Sequence, residues 1–127
     1  MSDLLQNLTD LLATPGLSGH EDRVRRLIAA KLSDLGIPST SDRLGNLTAS
    51  FPGTDPAVMV FAHMDQLGFI VHKIEPDGFI RLERLGGVPE RALPAQEVLI
   101  CVGEGRDVHA IKPTIRAGLP PALGMPA

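Results

Sequence analysis

His63 and Asp65 stand two residues apart at the end of a six-residue apolar run, Ala57-Val-Met-Val-Phe-Ala62. On an extended chain, residues two apart point the same way, so the carboxylate can lie beside the imidazole. A carboxylate bonded to one ring nitrogen fixes the tautomer and makes the other nitrogen more basic. This is the usual support of a metal-bound histidine. A plainer reading fits the same residues: a histidine ending a core strand, with a carboxylate to satisfy it. The spacing alone leaves both open. A small independent metal protein built from His63, Asp65, Cys101 and His109 has no support in their spacing, and Cys101, following Val98-Leu99-Ile100, reads as core. His20, His72 and His109 read as ordinary surface residues.

The apolar run is too short for a free-standing helix and rich in Val and Phe. It predicts a central parallel strand over 57–62, buried on both faces and punctuated by Pro56 and Gly68. Site residues of open α/β sheets collect at the carboxyl ends of such strands, which is where His63 and Asp65 fall. Ahead of it, Leu4, Leu5, Leu8, Leu11 and Leu12 form one stripe of a first helix that stops at Thr14-Pro15-Gly16. Ser18-Gly19-His20-Glu21 spells a capping box for a second helix, with Ser18 as its N-cap. Val24, Leu27, Ile28, Leu32 and Leu35 line one face of that helix, and Arg23, Arg25, Arg26 and Lys31 form its solvated side. Short strands at 39–42 and 47–51 flank a turn at Leu44-Gly45-Asn46. Helix, helix, hairpin and buried strand describe the opening of an α/β sandwich.

After Gly68 the character changes. Strands at 69–74 and 79–85 flank Glu75-Pro76-Asp77-Gly78, and further strands at 97–102 and 108–111 flank a glycine turn. Four short strands in succession describe an antiparallel, barrel-like unit. The division is therefore 1–68, 69–111 and an irregular tail, 112–127, in which four of 16 residues are proline.

Composition narrows the function classes. The chain has 127 residues, 12 basic and 15 acidic groups, and a net charge of −3. Its charges do not cluster and it has no aromatic platform, so nucleic acid is not expected as a partner. No apolar run approaches a membrane span, and the amino terminus carries no secretory pattern, so neither a membrane nor export is expected. A single cysteine suits a cytoplasmic protein.

Five segments, in order, carry a resemblance. They are Thr14-Pro-Gly-Leu-Ser-Gly-His-Glu21, Asp42-Arg-Leu-Gly-Asn-Leu47, Ala62-His-Met-Asp-Gln-Leu-Gly-Phe69, Asp77-Gly-Phe79 and Leu85-Gly-Gly-Val88. Together they resemble the amino-terminal part of the tetrahedral, or deblocking, glutamyl-type metalloaminopeptidases, some of which have been named endoglucanases. The resemblance implies the front part of a zinc-peptidase α/β sandwich, followed by strands of an inserted β-barrel domain that drives homo-oligomerisation. It implies peptide substrates, two divalent metals (zinc or cobalt), His63 as a ligand to one of them, and Asp65 as the catalytic-site carboxylate that orients its ring.

Two departures stand out. The family usually has Glu where this chain has Gln66. The bridging aspartate, the base glutamate and a second histidine follow the barrel in the family and are not found by residue 127. The resemblance stops after Ile111, which predicts an out-of-frame tail replacing the rest of a longer peptidase. The expectation is a truncated metal-dependent aminopeptidase, inactive alone. The alternative is a non-catalytic oligomerisation or interaction module with a vestigial metal site.

Overall fold

The computed structural model describes residues 2–103 and 106–111; the expectation for residues 112–127 lies outside them. Contacts gather the chain into two compact units, one up to Gly87 and one from Val88.

The first unit opens with helix α1 (Ser2–Ala13) and helix α2 (Asp22–Asp34). Both follow the leucine and valine spacing of the sequence. Lys31 ties them together, donating from Nζ to Asp10 Oδ2 at 2.6 Å and Asn7 Oδ1 at 2.8 Å. Val24 is the buried residue of α2, and the backbone of Gly16 presses on it. A Cβ at Gly16 would stand 2.6 Å from Val24 Cγ2 and 3.3 Å from the Met64 carbonyl oxygen. That close approach is what requires glycine there.

The capping box is not what forms at the start of α2. Glu21 is the N-cap and makes no side-chain cap bond, while its Oε1 accepts the Gly19 N–H at 2.8 Å. Residues 17–20 instead close a tight turn through His20 N–H to Leu17 O at 2.7 Å, with Gly19 at φ +80°. A side-chain cap contributes about 1 kcal/mol to a helix, and α2 goes without it.

Strands β1 (Ser39–Ser41) and β2 (Leu47–Ala49) pair antiparallel, with Thr40 opposite Thr48. Asp42 builds the turn between them. Its Oδ1 accepts the Leu44 and Asn46 N–H groups, both at 2.9 Å, and its Oδ2 accepts Asn46 Nδ2 at 2.8 Å. These bonds, chiefly the Asn46 side chain, hold the Asp42 carboxyl below its ordinary value. A depressed folded pKa contributes stability that is present above the unfolded value and is lost as pH falls through the folded one. Amide exchange at Leu44 and Asn46 is therefore expected to be slow at neutral pH and to lose its protection below the usual aspartate range. Asp42→Ala, which has no side-chain acceptor, should lose it at every pH.

Residues 57–62 do not form the expected strand. They belong to no regular element, and Val58, Met59, Val60 and Phe61 are 85–91% exposed. The physical reason is a missing ladder. An interior strand must bond its N–H and C=O groups to neighbours on both sides, and among the described residues no strand pairs with this run. The exposed Leu4, Leu5, Leu8 and Leu12 of α1 tell the same story, since the apolar face that the sequence predicts is present but uncovered.

Strands β3 (Gly68–Ile74) and β4 (Ile80–Leu85) form an antiparallel hairpin, and a bulge leaves His72 without an opposite residue. Its turn closes through Gly78 N–H to Glu75 O at 2.9 Å, with Gly78 at φ +88°. Glu75 accepts from Lys73 at 2.7 Å and also from Arg81.

The second unit has a short 3-10 turn at Glu90–Ala92, buried Leu93, and strands β5 (Glu97–Ile100) and β6 (Val108–Ile111), paired antiparallel with Leu99 opposite His109. β5 stops at Ile100, so Cys101 lies past the strand and is exposed rather than core. The described strands thus make three two-stranded sheets.

Candidate functional site

The segment 63–66 is held from one side by the end of α1 and the turn that follows it. Gln66 N–H donates to Gly16 O at 2.6 Å, and Leu17 and Gln66 form a parallel bridge. The Gln66 side chain completes the anchorage, its Nε2 donating to Leu11 O at 3.2 Å and Thr14 O at 3.3 Å. Leu11 lies in the last turn of α1, where its carbonyl also accepts the Thr14 N–H at 3.3 Å, and Thr14 directly follows the helix. Gly68 is close-packed as well: a Cβ there would stand 2.9 Å from Leu17 Cδ1.

This anchorage sets the geometry of the two residues on which the sequence argument rests. His63 and Asp65 do meet. His63 Nδ1 lies 2.8 Å from Asp65 Oδ1 and 3.1 Å from the Asp65 carbonyl oxygen. Two acceptors face Nδ1, so in the neutral ring this geometry favours the proton on Nδ1 and leaves Nε2 as the lone pair, on a side chain that is 84% exposed. Asp65, at 39% exposure, is more enclosed. Its second oxygen, Oδ2, accepts the hydroxyl of Ser18 at 3.0 Å. That bond is the main reason the Asp65 carboxyl lies below its ordinary value. Partial desolvation works against it, and the His63 bond and charge reinforce it.

Ser18 is the site residue that sequence reasoning missed. Its position before an amphipathic helix matches a capping serine, and no local pattern reveals a partner 47 residues away. His20 and His72 are exposed. His109 is also exposed and bonds Glu97 through Nδ1 at 2.7 Å. Among the described residues, no three His, Cys, Asp or Glu side chains gather as a metal-holding group. A catalytic zinc takes three protein ligands, so the described residues by themselves do not fit a two-metal centre. They offer one imidazole, that of His63, on an exposed side chain.

The sequence of the M42 glutamyl aminopeptidase family matches residues 45–115. The chain belongs to this family. It is 38% identical over 96 residues to the lysyl aminopeptidase of Pyrococcus furiosus, a match covering 75% of this chain and 28% of the relative. It is 35% identical over 124 residues to the glutamyl aminopeptidase of Lactococcus lactis, covering 95% of this chain and 33% of the relative. The structure superposes on the TET1 peptidase of Pyrococcus horikoshii with a TM-score of 0.78 at 25% identity, over 93% of this chain and 35% of that one. The M42 chain described here thus spans about a third of the length of these relatives. Its mixed helix and strand architecture agrees with that of the Pyrococcus horikoshii peptidase. Among its described residues, no helix is long and apolar enough to cross a membrane.

Proposed function

We propose that this chain is the front part of a metal-dependent aminopeptidase that removes amino-terminal residues from peptides, with His63 supplying one ligand and Asp65 orienting it. The observation that carries the reading is the His63–Asp65 pair, its Nδ1 satisfied by the carboxylate and its Nε2 exposed and free to accept. Two divalent ions, zinc or cobalt, belong to this reading, and the groups that complete their shells come from outside the described residues. In the same reading, residues 1–68 are the start of the catalytic sandwich and 69–111 are strands of an inserted β-barrel. The exposed apolar run 57–62 becomes the interior strand of that sandwich once neighbours flank it. Homo-oligomerisation is part of the proposal, since the Pyrococcus horikoshii peptidase can assemble into a tetrahedron or a large octahedral shell. So is a cytoplasmic location, which suits the single cysteine.

The test is a chimera in which residues 1–111 replace the matching front third of the Lactococcus lactis glutamyl aminopeptidase. It should release amino-terminal residues from peptides in the presence of zinc or cobalt. His63→Ala should cut that activity at least about 100-fold, the upper end of what losing an outer partner of a metal ligand costs. A folded chimera that releases nothing, or whose activity ignores His63→Ala, sinks the reading.

A further inference from the structure

Ser18 spends its hydroxyl in an unexpected place. The turn 17–20 delivers the chain to α2, and a serine there has a ready use in bonding the first free N–H groups of the helix. Instead Glu21 takes the N-cap position without a side-chain cap bond, and the Ser18 hydroxyl donates to Asp65 Oδ2 at 3.0 Å. Local stability is given up at a position where a polar contact to the candidate site is made. Such conflicts between local rule and structure concentrate at functional residues.

The geometry around that bond is over-determined. Gln66 N–H to Gly16 O at 2.6 Å and the parallel bridge from Leu17 to Gln66 fix the two backbones beside each other, one residue from Ser18 and one from Asp65. The carboxylate then has its two oxygens assigned to different partners, Oδ2 to Ser18 and Oδ1 to His63 Nδ1 at 2.8 Å. A carboxylate held at one oxygen by a donor cannot turn about its last bond without losing that donor. The other oxygen therefore stays in line with the imidazole.

We propose that Ser18 is a positioning residue for His63: it locks the Asp65 carboxylate so that the imidazole is kept as the Nδ1–H tautomer, with Nε2 presented as an acceptor. The use of that nitrogen as a metal ligand rests on the aminopeptidase reading, but the tautomer lock does not. The relay runs Ser18 hydroxyl, Asp65 carboxylate, His63 imidazole, and its members come from the α1–α2 turn and the segment after the apolar run.

The experiment reads the His63 tautomer directly in the chain as it exists. Long-range couplings between the ring-carbon protons and the ring nitrogens of the 15N-labelled protein report which nitrogen is protonated. They are recorded at pH ~8, where an ordinary imidazole is neutral, and His63→Ala assigns the signal. The parent should show the Nδ1–H form. Ser18→Ala should lower its Nδ1–H fraction on the order of twofold, with the helical circular dichroism unchanged because Ser18 does not cap α2. Ser18→Thr should restore the parent pattern, and Asp65→Asn should disturb it as Ser18→Ala does.

A Ser18→Ala protein that keeps the parent tautomer overturns the proposal. So does one that loses helix while its His63 signal stays as in the parent, because the serine is then a cap. If Ser18→Ala and Ser18→Thr both fail to fold, the residue is structural and the proposal is equally overturned. No metal and no turnover enter the readout, so a failed chimera and a failed tautomer lock are separate results.

Discussion

Titrated with zinc or cobalt, the polypeptide of residues 1–127 is expected to bind no pair of ions tightly and to hydrolyse amino-acid anilides at the uncatalysed rate. Too few ligands are present among the described residues. A two-metal centre that activates a bridging water needs several protein groups on each ion and a shared carboxylate. Among the described residues, His63 offers one free nitrogen, and both oxygens of Asp65 are engaged, one by His63 and one by Ser18. No three candidate ligands gather anywhere else in the described chain. One imidazole on an exposed segment binds a divalent ion weakly. Calorimetry should therefore show no saturable two-ion step, and His63→Ala should remove what weak binding there is. Two zinc ions per chain, with turnover that vanishes in His63→Ala, would contradict this and would mean that a second polypeptide completes the shells.

What could be read from the sequence follows the range of the interactions. α1, α2 and the hairpins β1–β2 and β3–β4 were legible because helical leucine spacing and turns such as Asp42–Asn46 and Glu75–Gly78 are local signals. The His63–Asp65 contact was legible for the same reason, as two residues on one stretch of backbone. The strand at 57–62 was inferred from an apolar run whose composition records burial. Burial and ladder bonds both come from neighbours, and the described residues provide none beside it.

Cys101 misled in a related way. Val98-Leu99-Ile100 extends the apolar pattern toward it, but pairing with β6 ends at Ile100 opposite Val108. Ser18 was legible only as a cap, because the helix-start signal is local and the bond to Asp65 is not. Gln66 illustrates the same limit. Next to His63 and Asp65 its side chain invites a reading in terms of charge at the proposed metal site, whereas the structure turns its amide toward the end of α1.

Gln66→Glu is accordingly expected to destabilise the first unit, although glutamate is the residue that the resemblance leads one to expect there. The amide of Gln66 is used as a donor, with Nε2 reaching the carbonyl oxygens of Leu11 and Thr14 at 3.2 and 3.3 Å. An ionised glutamate has only acceptors to offer, and it would place a negative charge at the negative end of the α1 dipole. Two lost hydrogen bonds and this repulsion amount to about 2 kcal/mol. That is a large share of what a chain with so little buried apolar surface can hold in reserve.

The penalty carries its own pH signature. Surroundings that disfavour the charged form raise the glutamate's folded pKa, so stability is retained below the unfolded value and is lost as pH rises through the folded one. The gap between Gln66→Glu and the parent in urea melts should thus be widest at neutral pH and narrow toward pH ~4. Gln66→Lys, which keeps donors and puts a positive charge at the same helix end, should stay close to the parent. Equal melting of Gln66→Glu and the parent at pH 7 would show that the amide does not clamp α1 to the His63 segment.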